Sequence, residues 1–136
     1  MAEFRPVTDQ LSVAGQIDLA DFARAAQLGF KLAINNRPDG EEPGQPTHAE
    51  IEAAARAAGL DYVFNPIRGG PNPGQVTAQL EAVEAATGPV LAFCRSGTRS
   101  ITAWALGQAV SGARSRTELV ELGRGAGYDL SGALMA

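Results

Sequence analysis

The chain has 136 residues, with 15 acidic and 11 basic side chains and a formal net charge of -4. This length predicts a single domain over residues 1–136, and the charge argues against a nucleic-acid or anionic-membrane partner, because phosphate groups attract basic surfaces. One cysteine and one histidine exclude an internal disulfide and an ordinary zinc site, so we expect neither a metal nor another cofactor. Without a secretory pattern or an apolar stretch of about 20 residues, the expected location is the cytoplasm, where a thiol stays reduced.

The first part of the chain predicts a hairpin, a helix and a strand, in that order. Residues 4–7 and 11–14 are typical of two short strands joined by a turn. Asp18 is a candidate N-terminal cap for a helix whose apolar positions recur at the 3.6-residue period and which Gly29 ends. Residues 31–35 then predict a buried strand.

The second part of the chain continues this alternation. Capping boxes predict helices that begin at Thr47 and Asn72, and short apolar runs over residues 62–64 and 89–93 predict strands. A further helix is expected to begin near Ser100, and a short one follows. Strands that alternate with helices predict an α/β fold, with a small, mostly parallel central sheet of about five strands and helices on both faces.

The most informative segment is residues 94–100, Cys-Arg-Ser-Gly-Thr-Arg-Ser, which lies between a predicted strand and a predicted helix. Backbone N–H groups and a helix N-terminus converge in such a loop and bind anions, and Arg99 adds a planar charged group. These positive fields favour the thiolate, so Cys94 is interpreted as a nucleophile rather than as a buried inert residue. The other predicted anion-binding positions of the loop are Arg95, Ser96, Gly97, Thr98 and Ser100.

Two further arginines follow predicted strands. In parallel sheets, ligand sites form at the carboxyl ends of the strands, so the loops after residues 35, 64 and 93 should meet. Arg37 and Arg68 lie on the first two of these loops and are therefore predicted to line the Cys94 pocket. The alternative is that Arg37 belongs to an ordinary turn and that Arg68 is a solvated surface side chain.

Four segments carry a resemblance to a known family: residues 13–16 (Val-Ala-Gly-Gln), 35–40 (Asn-Asn-Arg-Pro-Asp-Gly), 94–100 and 127–130 (Gly-Tyr-Asp-Leu). Through them, almost the whole chain resembles the phosphatase-like domain of the beta-lactamase-hydrolase-like proteins, a bacterial group with a dual-specificity-phosphatase-type fold. The resemblance implies a cysteine-phosphatase-like fold. Among these segments, the cysteine loop is the most specific.

Three features depart from the pattern of the protein phosphatases of that fold. Those enzymes have five residues between cysteine and arginine, whereas Cys94 and Arg99 enclose four. They usually have histidine before the cysteine, where this chain has Phe93. They also place an aspartate acid after the preceding strand, but residues 66–75 contain no carboxylate. Without an acid, departure of an alkoxide would be slower by about 10²–10⁴.

These departures favour a sulfurtransferase of the rhodanese type, whose six-residue active loop the segment 94–99 resembles. Cys94 would carry a persulfide, Arg99 or Arg95 would orient a small anionic sulfur donor, and a partner thiol could accept the sulfur. Ser100 would cap the helix and bond Cys94. The alternatives are a phosphatase that acts on a phosphate-like anion, with a more distant acid, and a non-catalytic anion- or redox-sensing module. The candidates for that distant acid are Asp39, Glu41 and Glu42.

Overall fold

The computed structural model describes residues 2–135 and contains a five-stranded sheet and six helices within that range. The strands are β1 (Arg5–Pro6), β2 (Leu11–Ala14), β3 (Leu32–Asn35), β4 (Asp61–Phe64) and β5 (Val90–Phe93). The helices are α1 (Asp21–Gln27), α2 (His48–Ala57), α3 (Pro73–Ala85), α4 (Thr98–Val110), α5 (Arg116–Ala126) and α6 (Ser131–Met135). None of the helices in this part of the chain is long and apolar enough to span a bilayer.

The strand order is β1-β2-β5-β3-β4, with β1 antiparallel to β2 and every other pair parallel. The registers place Ala14, Phe93, Asn35 and Phe64 in one row across the sheet. The segments after β2, β3, β4 and β5 therefore leave the sheet at the same edge, as the sequence predicted for the last three.

Two apolar clusters cover the two faces of the sheet. In β5, Val90 and Ala92 belong to the first cluster, whereas Leu91 and Phe93 belong to the second. Side chains of a strand alternate between faces, so a strand that is buried throughout must be covered on both sides. The first cluster includes Trp104 of α4, and the second includes Phe22 of α1. The predicted α/β architecture, with helices on both faces, is confirmed.

Two predicted helix boundaries are wrong. Helix α1 begins at Asp21 rather than after a cap at Asp18, and the Asp21 carboxylate accepts a hydrogen bond from the backbone N–H of Asp18 at 2.9 Å. Helix α4 begins at Thr98, two residues before Ser100, and Gly97 is its N-cap. Asp18 thus lies three residues before the first residue of α1, whereas Ser100 lies inside the first turn of α4.

Candidate active site

The cysteine loop is a tight turn between β5 and α4. Gly97 has a φ of 91°, a left-handed conformation that favours glycine. A Cβ atom at this position would also collide with the hydroxyl of Tyr128. The glycine at position 97 is therefore required by its backbone conformation and by the packing around it.

Cys94 lies at the base of this turn. Its side chain is fully buried, and its sulfur accepts a hydrogen bond from the backbone N–H of Gly97 at 3.1 Å. The sulfur thus lies at the N-terminal end of the 13-residue helix α4, where the backbone dipoles favour negative charge. Around it, Arg95, Ser96 and Thr98 are exposed, and the hydroxyl of Ser96 bonds that of Thr98 at 3.1 Å.

Arg99 connects all three predicted loops. Its guanidinium donates to both carboxylate oxygens of Glu41 at 2.8 and 2.9 Å, and to the backbone carbonyl of Ile67 at 2.8 Å. The pKa of Arg99 is raised, first by the hydrogen bonds to Glu41 and further by its electrostatic interaction with Cys94. The prediction that these loops meet beside Cys94 is confirmed by these contacts.

Arg37 lies at this edge of the sheet, but it is not available to an anion. The side chain is 2% exposed, and its guanidinium donates to Glu41 at 2.9 Å, to Gln16 at 2.8 Å and to Glu42 at 2.8 Å. A buried charge is stable only when it is paired and hydrogen-bonded. The predicted role of Arg37 as an anion-binding residue of the Cys94 pocket is therefore wrong. The turn of the alternative reading is present at Asp39 and Gly40, and the buried Arg37 before it fixes the acidic segment after β3.

Two carboxylates on that segment, Glu41 and Glu42, have lowered pKa values. Hydrogen bonds from Arg99 and Arg37 lower the pKa of Glu41 to about 2, and Arg37 also lowers the pKa of Glu42. The third acid candidate, Asp39, is exposed and accepts a hydrogen bond from the backbone N–H of His48 at 2.7 Å. Glu41 is the one of these three that contacts Arg99, and it does so as an anion.

Arg68 is exposed on the loop after β4 and lines a cavity of about 490 Å³. The other lining residues are Pro38, Asp39, Phe64, Pro66, Asn72 and Gln75. The backbone carbonyl of Ile67, the residue before Arg68, accepts the bond from Arg99. Ile67 thus joins the loop of Arg68 to Arg99, but none of residues 94–100 lines this cavity, so Arg68 is not placed in the pocket of Cys94 itself.

Sequence reasoning missed several residues that support the loop. Tyr128 donates a hydrogen bond to the carbonyl of Ser96 at 2.8 Å, and the backbone N–H of Gln16 donates to the carbonyl of Arg95 at 3.2 Å. A Cβ atom at Gly15 would lie 3.1 Å from that same carbonyl. Gly15, Gln16 and Tyr128 belong to two of the segments that carry the family resemblance, residues 13–16 and 127–130. Those segments indicated membership of a family but no chemical role, so the resemblance was the available signal for these residues.

A buried amide network fixes the base of the site. Gln79 of α3 accepts a hydrogen bond from the side-chain amide of Asn36 at 2.9 Å and one from that of Asn65 at 2.9 Å. In return, Gln79 donates to Asn36 at 2.9 Å and to the carbonyl of Ser100 at 3.4 Å. The network thereby connects the loops after β3 and β4 to α4.

Ser100 differs from its prediction. It lies inside the first turn of α4 and is fully buried, and its hydroxyl has no hydrogen-bond partner within residues 2–135. The expected cap and the expected bond to Cys94 are both wrong, because the helix begins earlier and the sulfur is bonded by Gly97 instead.

The fold and the loop define a phosphatase-like domain with a cysteine at the end of its central strand. The chain belongs to the family described as "Beta-lactamase hydrolase-like protein, phosphatase-like domain", whose model matches residues 3–111. Beta-lactamase hydrolase-like proteins of Agrobacterium fabrum and of Xylella fastidiosa strain Temecula1 are 41% and 38% identical to it, over 128 and 129 residues. These matches cover 93% and 94% of this chain but 30% of each relative, so the chain spans less than a third of their length.

Solved structures give the same assignment. A candidate phosphatase from Neisseria meningitidis Z2491 has a TM-score of 0.84 and 31% identity, covering 95% of this chain and 92% of that one. The structure of Tk-PTP in its active form has a TM-score of 0.76 at 20% identity, covering 97% of this chain and 90% of that one, and it shows the shared fold alone.

The sulfurtransferase prediction is wrong. The family and the similar structures are of the phosphatase type, so the expected persulfide carrier, sulfur donor and thiol acceptor have no support. The prediction had rested on the short loop and on the missing acid after the preceding strand. A loop with four residues between Cys94 and Arg99 still bonds the sulfur to a backbone N–H and keeps the arginine within reach of it.

Proposed function

We propose that this chain is a cysteine-dependent phosphatase that hydrolyses phosphomonoesters. The observation that carries the proposal is the arrangement around Cys94: its sulfur accepts the Gly97 N–H at the start of α4, and Arg99 lies beside it. This site lies in a chain that is 31% identical to a structure described as a candidate phosphatase. An anion-binding turn with a nucleophile at its base suits attack on a phosphate group.

The proposed reaction has two steps. The Cys94 thiolate forms a bond to phosphorus while the bond from phosphorus to the leaving oxygen breaks, and that oxygen takes a proton from water. A second water then bonds to phosphorus and loses its proton to solvent, the sulfur–phosphorus bond breaks, and inorganic phosphate leaves with the thiolate restored. Backbone N–H groups of the loop and the Arg99 guanidinium stabilise the charge on the phosphoryl oxygens in both steps.

The carboxylates near the site restrict the leaving group. Glu41 is ionised at neutral pH, because Arg99 and Arg37 hold its pKa at about 2, so it does not donate a proton while it is paired. A leaving oxygen must then depart with little help from an acid, which favours the more stable anion. We therefore expect aryl phosphates to be hydrolysed faster than alkyl phosphates.

Substrate must also compete with Glu41. The carboxylate occupies the end-on edge of the Arg99 guanidinium, with one N–H of each terminal nitrogen, so a phosphate group that bound this edge in a two-point contact would have to displace it. A phosphate dianion carries more charge than a carboxylate and can replace it, after which Arg37 still holds the displaced side chain.

The test is turnover of 4-nitrophenyl phosphate by the reduced protein and by three variants. Cys94→Ser should lower kcat by on the order of 10³ or more, because the hydroxyl is a far weaker nucleophile than the thiolate. Arg99→Lys keeps the charge but loses the planar two-point contact, and should cost about 10² in kcat/KM. Arg56→Gln, which removes a charge from the exposed side of α2, is the control and should leave both constants unchanged. Full turnover by Cys94→Ser, or none by the wild type, would contradict the proposal.

A further inference from the structure

The arginines of the chain divide into two groups. Within residues 2–135, eight arginines donate hydrogen bonds to carboxylates, to a glutamine or to backbone carbonyls. In the same part of the chain, the side chains of Arg68 and Arg95 form neither a hydrogen bond nor a close ion pair, although the charge of Arg95 acts on Glu42 from a distance. Both residues lie on loops at the edge of the sheet that carries Cys94. Two unpaired cations therefore flank a site that is proposed to bind an anion.

Arg68 differs from Arg95 because it lines a defined cavity. The cavity of about 490 Å³ has apolar walls from Phe64, Pro38 and Pro66, with the Arg68 side chain as its cation. Cavities of about 300–1,000 Å³ with apolar walls and a few polar groups are typical of small-molecule sites.

The position of the cavity relates it to the proposed reaction. Ile67, which precedes Arg68, accepts the hydrogen bond from Arg99 at 2.8 Å, and its backbone N–H donates to the carbonyl of Asn36 at 2.9 Å. Pro38, which also lines the cavity, belongs to the segment that continues to Glu41. A phosphate group bound by Arg99 would thus lie next to this cavity.

One negative group also lines the cavity. The Asp39 carboxylate accepts a hydrogen bond at 2.7 Å from the backbone N–H of His48, the first residue of α2, whose N-terminal dipole offsets the negative charge. It forms no ion pair with Arg68 in the described part of the chain. Arg68 therefore keeps its hydrogen-bond donors for a ligand.

We propose that this cavity holds the leaving group of the substrate and that Arg68 binds a second anionic group on it. The inference rests on the proposed phosphatase function and narrows its substrates to small phosphomonoesters with an additional carboxylate or phosphate. The apolar walls accommodate the ring or carbon chain between the two anionic groups, and arginine binds either kind of anion in a two-point contact.

The test compares 4-carboxyphenyl phosphate with 4-carbamoylphenyl phosphate, which has nearly the same shape and no second charge. The measured quantity is the ratio of the two kcat/KM values in each protein. The two substrates differ in leaving-group reactivity, but this difference is the same for wild type and variant and therefore cancels when their ratios are compared. Arg68→Gln should lower the ratio by about tenfold, since a charged hydrogen-bonded contact is lost. Asp39→Asn should raise the ratio, because a repulsive charge is removed, and Arg56→Gln should not change it.

Binding separates this inference from the proposed function. With Cys94→Ser as the background, the dissociation constants of the two aryl phosphates are measured by calorimetry, with and without Arg68→Gln. If no protein turns over either substrate, the phosphatase proposal fails. Even then, a tenfold lower dissociation constant for the carboxylated compound that is lost in Arg68→Gln would support the second anion site. A ratio that Arg68→Gln changes by less than about twofold, in turnover or in binding, overturns the inference.

Discussion

Arg99 and Glu41 form a two-point ion pair across the site, with distances of 2.8 and 2.9 Å between guanidinium nitrogens and carboxylate oxygens. A substrate phosphate that used these same two nitrogens would have to displace the carboxylate. The partner that orients Arg99 in this structure is therefore also its internal competitor.

Replacing Glu41 should consequently tighten anion binding. Glu41→Gln removes the negative charge and keeps a similar shape, so Arg99 is attracted less strongly to its internal partner. We expect the inhibition constant of inorganic phosphate to fall by about tenfold, within the usual range for a charge-assisted contact. Glu52→Gln, which removes a carboxylate paired with Arg56 on α2, is the matched control. Unchanged or weaker phosphate inhibition in Glu41→Gln would contradict the competition.

The same ion pair predicts a pH dependence of stability. The pKa of Glu41 falls from 4.5 to about 2 in the folded protein, so its contribution to folding is present above pH 4.5 and is lost as pH falls towards 2. Other carboxylates with lowered pKa values act in the same direction, so the informative quantity is a difference between proteins. Urea unfolding between pH 6 and pH 3 should show a smaller loss of stability in Glu41→Gln than in the wild type. Equal losses would show that the carboxylate is not stabilised by folding.

Gly97 should be essential for the shape of the cysteine loop. Gly97→Ala forces a side chain into a left-handed backbone and against the Tyr128 hydroxyl, at a cost of about 1–3 kcal/mol. Gly112 has a similar φ of 76°, but a methyl group added there would have no neighbouring atom within 4 Å, so Gly112→Ala is the control for backbone strain alone. Calorimetry and turnover should show a loss of both stability and activity for Gly97→Ala, and of stability alone for Gly112→Ala. Normal activity in Gly97→Ala would contradict the required turn.

Gln79 should stabilise the fold through its amide network. Gln79→Leu leaves the buried amides of Asn36 and Asn65 without their shared acceptor, which should lower the free energy of unfolding by about 2–4 kcal/mol. Gln27→Leu, at an exposed position at the end of α1, should change it by less than about 0.5 kcal/mol. Equal effects of the two substitutions, measured by urea unfolding, would contradict the structural role of the network.

The sequence predicted where the site forms better than how its residues are used. Strand alternation and the position of Cys94 were enough to predict which loops meet, because the carboxyl ends of parallel strands share one edge. The partners of Arg37 could not be predicted, because its burial depends on the course of the chain from Pro38 to Glu42. The short loop contributed to a wrong prediction of function. The number of residues between Cys94 and Arg99 does not determine whether a backbone N–H can still bond the sulfur.

Tyr128 shows a second limit of sequence reasoning. Its segment was recognised as part of a family resemblance, but its contact with Ser96 joins residues 32 positions apart. Periodicity and capping signals describe neighbours along the chain, and they contain no information about such a contact.

The most direct test of the account is to look for the phosphoenzyme on Cys94. The reduced protein is mixed with 4-nitrophenyl phosphate and quenched in acid within the first turnover, and its peptides are analysed by mass spectrometry. The account predicts one added phosphoryl group on the peptide that contains Cys94, absent from Cys94→Ser. Turnover of the ester by the wild type without any phosphorylated Cys94 peptide would contradict the nucleophilic role of this cysteine.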